Sequence, residues 1–203
     1  MERRKVPLAP DAGRVIAETR AWVERAVVGL NLCPFARAVH VRQQIRYAVS
    51  DAPDAEALLE ALVAEMHALV AADPARIDTT LLIHPRVLGD FTDYNDFLQV
   101  ADAALSELNL EGVLQVASFH PHYRFAGTTA QDVTNATNRS PYPTLHLLRE
   151  ASVDRAVAAF PDASAIYEAN LVSLRALGSE GWASLQAQCR RDAADEGAPA
   201  RAG

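Results

Sequence analysis

The sequence predicts a three-layer α/β domain: a mostly parallel sheet of about four strands flanked by helices. Two observations carry that expectation. Apolar stripes with helical spacing alternate with short β-branched and aliphatic runs, in the order α-β-α-β-α-β-loop-β-α-α. The strand runs are apolar throughout rather than alternating, as burial on both faces requires. Half of the 203 residues are hydrophobic, enough for a sizeable core. The organisation expected is a flexible N-terminus over 1–10, a single domain over 11–190 and a disordered tail over 191–203.

In chain order, Asp11 can cap a first helix reaching Val28, with Val15, Trp22, Val23 and Val27 on its stripe and Gly29 as its stop. The apolar turn Leu30 to Phe35 carries Cys33. Ile45 to Ser50 reads as a strand. Asp51 to Asp54 opens a second helix (Leu58, Leu62, Met66, Leu69), and Asp73-Pro74 ends it. Thr79 to Ile83 is a strand closed by His84-Pro85. Thr92 or Asp93 can cap a third helix with Phe97, Ala101, Leu105 and Leu108 on its stripe. Gly112 restarts a strand that ends near Phe119. A long polar loop then runs from His120 to Ser140-Pro141-Tyr142-Pro143. Thr144 to Leu148 fits either a strand or a helix by spacing. The strand is preferred, because Ser152 offers a fresh cap for Val153, Ala156, Val157 and Phe160. Two helices follow, one opened by Asp162 and closed by Gly178, the other carrying Trp182, Leu185 and Cys189.

The composition excludes several function classes. A net charge of −7 without a basic stripe argues against a nucleic-acid surface. No apolar run reaches the ~18–20 residues of a membrane helix, and no apolar segment follows the basic Arg3-Arg4-Lys5, so a cytoplasmic location is expected. The two cysteines lie far apart and fit no disulfide or zinc framework. There is no Gly-rich phosphate cradle and no nucleophile elbow.

In open α/β sheets, ligands bind beyond the carboxyl ends of the strands. Ser50 with Asp51, then His84, then His120 with His122 all fall at such ends, and the polar loop leaves from the same rim. Three reactive readings compete there. His84, His120 and His122 could ligate a divalent metal with a position open for water. His120 could act as a metal-free acid or base. The histidines could also simply satisfy nearby backbone groups. Cys33 is either a nucleophile or a buried inert thiol among apolar neighbours. Arg124, Asn135, Asn138 and Arg139 offer amide and guanidinium donors that suit a carboxylate or phosphate.

Four stretches resemble a known family: Asn31-Leu32-Cys33-Pro34-Phe35-Ala36, Asp93-Tyr94-Asn95, Phe119-His120-Pro121-x-Tyr123, and the long run Thr137-Asn138-Arg139-Ser140-Pro141-Tyr142-Pro143-Thr144-Leu145-His146-Leu147-Leu148-Arg149-Glu150. Together they are similar to the bacterial "domain of unknown function 1415" family, over roughly Arg14 to Gly178. The resemblance implies no activity. It does imply that His120, Tyr123, Cys33, Asn138, Arg139 and Tyr142 stand at motif positions, whereas His122 falls at a variable one. The expectation is a cytosolic enzyme with a His/Arg/Asn pocket at the carboxyl edge of the sheet. His120, His84, Cys33 and Tyr123 would be catalytic, and Asn138, Arg139, Tyr142 and Arg124 would hold a small anionic substrate, with a divalent metal as the possible cofactor. The rivals are a non-catalytic binding module for an anionic metabolite and a protein-interaction domain.

Overall fold

The computed structural model describes residues 11–159 and 163–196. The termini expected to be loose, 1–10 and 197–203, lie outside the described residues. Helix α1 spans Ala12–Trp22 and continues as a π-helical turn over Val23–Val28. Asp11 caps it by accepting from the Arg14 N–H. A short helix that the sequence pattern does not announce, α2 at Ala36–Val41, leads to β1, Ile45–Val49. Then come α3 (Ala55–Ala71), β2 (Thr79–Ile83), α4 (Phe91–Glu107), β3 (Leu114–Phe119), a 3₁₀ turn (Val133–Asn138), β4 (Thr144–Arg149), α5 (Glu150–Ala159) and α6 (Ala163–Glu196). Thr144 to Arg149 is therefore strand, as preferred. Gly178 interrupts α6 at φ 70°, ψ 172°, the break expected there. Because α6 runs to Glu196, residues 191–196 are helix rather than disordered tail.

The sheet has the order β1-β2-β4-β3. β1 and β2 are parallel, while β4 runs antiparallel to both β2 and β3. This corrects the mostly parallel expectation: the sheet is mixed. The physical reason lies in the connection between β3 and β4. A parallel return needs a crossover that carries the chain to the opposite edge, usually on a helix. Residues 120–143 instead stay at the rim they leave from, holding themselves with their own hydrogen bonds, and β4 must descend. The first three strands still point the same way, so Ser50, His84 and His120 share one rim.

Helices cover both faces. On one, Leu58, Leu62 and Met66 of α3 and Tyr94, Phe97 and Ala101 of α4 pack on Leu82, Leu145 and Leu147. On the other, Val15, Trp22 and Val23 of the first helix and Leu174 and Trp182 of α6 pack over Leu81 and Ile83. Consecutive strand residues point to opposite faces, which is why Leu81 and Leu82 belong to different clusters. Asp54 caps α3, as expected. The cap of α4 is Asp90, two residues before Thr92, and its carboxylate accepts from the Thr92 and Asp93 N–H groups.

Candidate functional site

The rim is built around Tyr94. This fully buried ring rises from the second turn of α4, and its hydroxyl donates to Thr144 O at 2.8 Å while accepting from the Phe119 N–H at 3.0 Å. It thus ties the ends of β3 and β4 together. His84 stacks on Tyr94 at 5.8 Å between ring centroids, and His120 lies at 5.0 Å from the same ring. Phe91 completes the cluster against His120 and Tyr123.

Both histidines are fully buried and serve the β2–α4 loop. His84 Nδ1 is 3.1 Å from Val87 O, and His120 Nε2 is 3.1 Å from Leu88 O. Carbonyls only accept, so each ring carries its hydrogen on that nitrogen. Between them they pin Leu88, whose φ of 56° is left-handed and costly for a branched side chain. His120 Nδ1 accepts from the His122 N–H, which occupies its second nitrogen as well. His84 Nε2 is sealed and has no partner among the described residues. Burial holds both rings neutral, His84 down to about 4 and His120 below its ordinary value.

The remaining candidates divide between clasp and pocket. Asn138 donates to Ser118 O, and its carbonyl accepts from the His120 N–H, so it clasps the loop to β3. Asn135, fully buried, accepts from Phe125 N–H and Thr128 Oγ1 and donates to Thr129 O. Tyr123 packs between Phe91 and Phe125. Arg124 is exposed. Cys33 sits in the turn after the π-helical segment with its N–H on Val27 O, and burial pushes its thiol above the ordinary value. That favours the inert thiol over the nucleophile. Cys189 packs in the core near Trp182. Among the described residues, no group of three or more His, Cys, Asp and Glu side chains could hold a metal ion, and His84, His120 and His122 form no such group.

The open space lies next to this cluster. A cavity of about 470 Å³ lies between the loop, α1 and α6, lined by Glu18, Trp22, His122, Arg139, Tyr142, Trp182 and Arg190 among others. Of the residues expected to act, it gathers His122, Arg139 and Tyr142. His84, His120, Cys33, Tyr123, Asn138 and Arg124 do not line it. Glu18, nearly buried at 6 % exposure, is the residue that sequence reasoning missed, since a glutamate on a first helix carries no local sign of burial. It accepts from Arg14 Nε at 2.8 Å and from the Tyr142 hydroxyl at 2.7 Å. Desolvation and the adjoining carboxylate push the Tyr142 phenol up, so it stays a donor. Arg139 donates to two backbone carbonyls, Tyr123 O and Ala130 O, and makes no ion pair among the described residues. Burial lowers its pKa below the ordinary value. The pocket is consequently rich in donors and poor in free acceptors.

Two larger spaces lie elsewhere: one of about 690 Å³ on the α1 side of the sheet, and one of about 540 Å³ beside Arg20, His40 and Tyr47. No helix among the described residues is long and apolar enough to cross a membrane. A family model described as "Protein of unknown function (DUF1415)" matches residues 14–184. The chain matches no curated protein and no solved structure.

Proposed function

Starting from the chain's membership of the DUF1415 family, whose function is unknown, we propose that it is a binding domain for a small organic anion, seated between the 120–143 loop and helices α1 and α6. The observation that carries this reading is Arg139, a half-buried guanidinium that lines a 470 Å³ cavity with no carboxylate at ion-pair distance among the described residues, Asp132 acting on it only from further off. Burying a cation in part and leaving it unpaired is costly unless an anion completes it. Arg190 and His122 face the same space, and Glu18 already has both oxygens engaged. The rings of Trp22, Trp182 and Tyr142 supply an apolar wall for the body of the ligand, and the volume lies within the range of small-molecule sites. A carboxylate or phosphate ester with a flat apolar part fits that combination.

This reading prefers binding to turnover. His120, the expected acid or base, and His84 beside it are buried against Tyr94 and occupied with loop carbonyls. The test titrates phenyl phosphate and, as a neutral comparator, benzyl alcohol, by calorimetry. Phenyl phosphate should bind in a salt-sensitive manner, and Arg190→Gln and Arg139→Gln should each weaken it about ten-fold or more. Arg124→Gln, which leaves the pocket untouched, should not. Equal affinity for the neutral comparator, or no loss in either pocket variant, would overturn the proposal.

A further inference from the structure

We propose that the 690 Å³ cavity on the α1 side of the sheet is a second binding site, for an uncharged aromatic alcohol whose hydroxyl donates to Nδ1 of His146. This site is separate from the anion pocket and does not depend on it.

The argument begins with the hydrogen bonds of one side chain. His146 stands in the middle of β4, between Leu81 of β2 and Ala117 of β3. Its Nε2 is 2.6 Å from Thr79 Oγ1, and that hydroxyl spends its only hydrogen on Leu147 O at 2.6 Å. The hydrogen between ring and hydroxyl must therefore belong to Nε2. A neutral imidazole with its hydrogen on Nε2 presents a bare lone pair at Nδ1. That nitrogen has no hydrogen-bond partner among the described residues, and it is not among the sealed polar atoms. The ring is partly exposed, and it lines the cavity. Burial brings its pKa down to about 4, so the lone pair persists at neutral pH.

The rest of the cavity selects the ligand. Its walls are aromatic and aliphatic: Trp22, Phe35 and Phe119 with Val23, Val27 and Leu81. Two of the charged groups that line it, Asp78 and Arg155, are tied together through Ser152, which donates to the first and accepts from the second, while the third, Arg42, is exposed to solvent. A carboxylate would meet a lone pair at Nδ1 and be repelled, and an ammonium would lose its hydration among these walls. A neutral aromatic ring with one hydroxyl matches both the walls and the acceptor, and the volume falls in the range of small-molecule sites. Helix α5 closes the outer side with Val153, Ala156 and Ala159, yet buries none of its residues. A ligand beneath it would supply the contact surface that α5 lacks.

The probes are 2-naphthol and its near-isostere 2-methylnaphthalene, titrated by calorimetry into the full-length protein. On the wild type the alcohol should bind about ten-fold tighter, although its hydroxyl is harder to desolvate than a methyl group. In His146→Phe the order should invert, because the hydroxyl is then buried without an acceptor. Ala156→Trp, which fills the space, should abolish both. Should His146→Phe fail to fold, the ¹⁵N shift of His146 Nδ1 in the wild type must move on adding 2-naphthol and stay put with 2-methylnaphthalene. Tighter binding of the hydrocarbon to the wild type, no binding of either probe, or undiminished binding in Ala156→Trp overturns the proposal.

Discussion

Histidines whose folded pKa lies far below the ordinary value make a measurable statement about stability. His84 and His146 sit at about 4 in the folded chain, against about 6.5 when unfolded. Between those values the unfolded state binds more protons, so unfolding free energy rises with pH across that window. The contribution is complete above pH 6.5 and is lost as the pH falls towards 4. For a fully buried ring such as His84 it is on the order of 3 kcal/mol. Urea denaturation at a series of pH values from 7 to 4.5 should show this slope, and His146→Phe should make it shallower. A midpoint independent of pH over that range would show that the rings do not stay neutral. The same residues mark where the sequence could and could not be read. That His84 and His120 share a rim followed from two strand ends and the parallel direction of β2 and β3. That both are turned inward onto Val87 and Leu88 did not, because the loop carbonyls that capture them carry no side-chain signal. His146 was not legible as a site residue: a histidine in an apolar run gives no hint that one ring nitrogen is left without a partner among the described residues. Glu18 was equally silent, since only the distant Tyr142 and the neighbouring Arg14 explain its burial.

Helix ends and strand ends were legible where local chemistry decides them, as at the Asp11 and Asp54 caps and the break at Gly178. They were not legible where the partner is remote. The direction of β4 depends on how the 120–143 loop folds on itself, and α2 is too short to show a periodicity. Two glycines carry the element-scale predictions. The Gly29 N–H reaches Glu24 O, an i−5 bond that ends the π-helical turn, and a Cβ there would sit 2.2 Å from Arg25 O. Since that neighbour is backbone, it cannot move aside cheaply. Gly29→Ala should cost about 1–3 kcal/mol, in the range of overpacked sites, read as a lowered urea midpoint. Gly178 has open space around it but a φ of 70° with ψ near 172°, a region that is essentially glycine's alone. Gly178→Ala should therefore destabilise by a similar ~1–3 kcal/mol through backbone strain, without any steric contact. Arg149 works at a third junction, donating from the end of β4 to Leu69 O and Ala72 O at the carboxyl end of α3 and to Ile77 O in the connection to β2. Arg149→Met leaves those carbonyls without their cation and should lower stability by about 2–3 kcal/mol.

At the scale of the whole molecule, the two faces of the sheet are put to different use. The α3–α4 face is filled: Leu58, Leu62, Met66 and Leu69 meet Leu82, Leu145 and Leu147 with almost no exposure. The α1–α6 face holds both the anion pocket and the apolar cavity, and Trp22 lines the two of them. Trp22 is packed edge-on against Phe119 at 5.3 Å, and its indole N–H is buried without an acceptor among the described residues. It serves as the partition between the sites. The division predicts a separation of stability from binding. Leu62→Ala should cost about 2–5 kcal/mol, as deletions from a filled core do, and leave the affinities for phenyl phosphate and 2-naphthol unchanged. Trp22→Leu should weaken both ligands together, and part of its stability cost is offset because an unpaired N–H is removed. Denaturation and calorimetry on the two variants decide it. If Leu62→Ala shifts either affinity while the protein remains folded, the α3–α4 layer is not a passive support. If Trp22→Leu affects one ligand alone, the two cavities do not share that wall in solution.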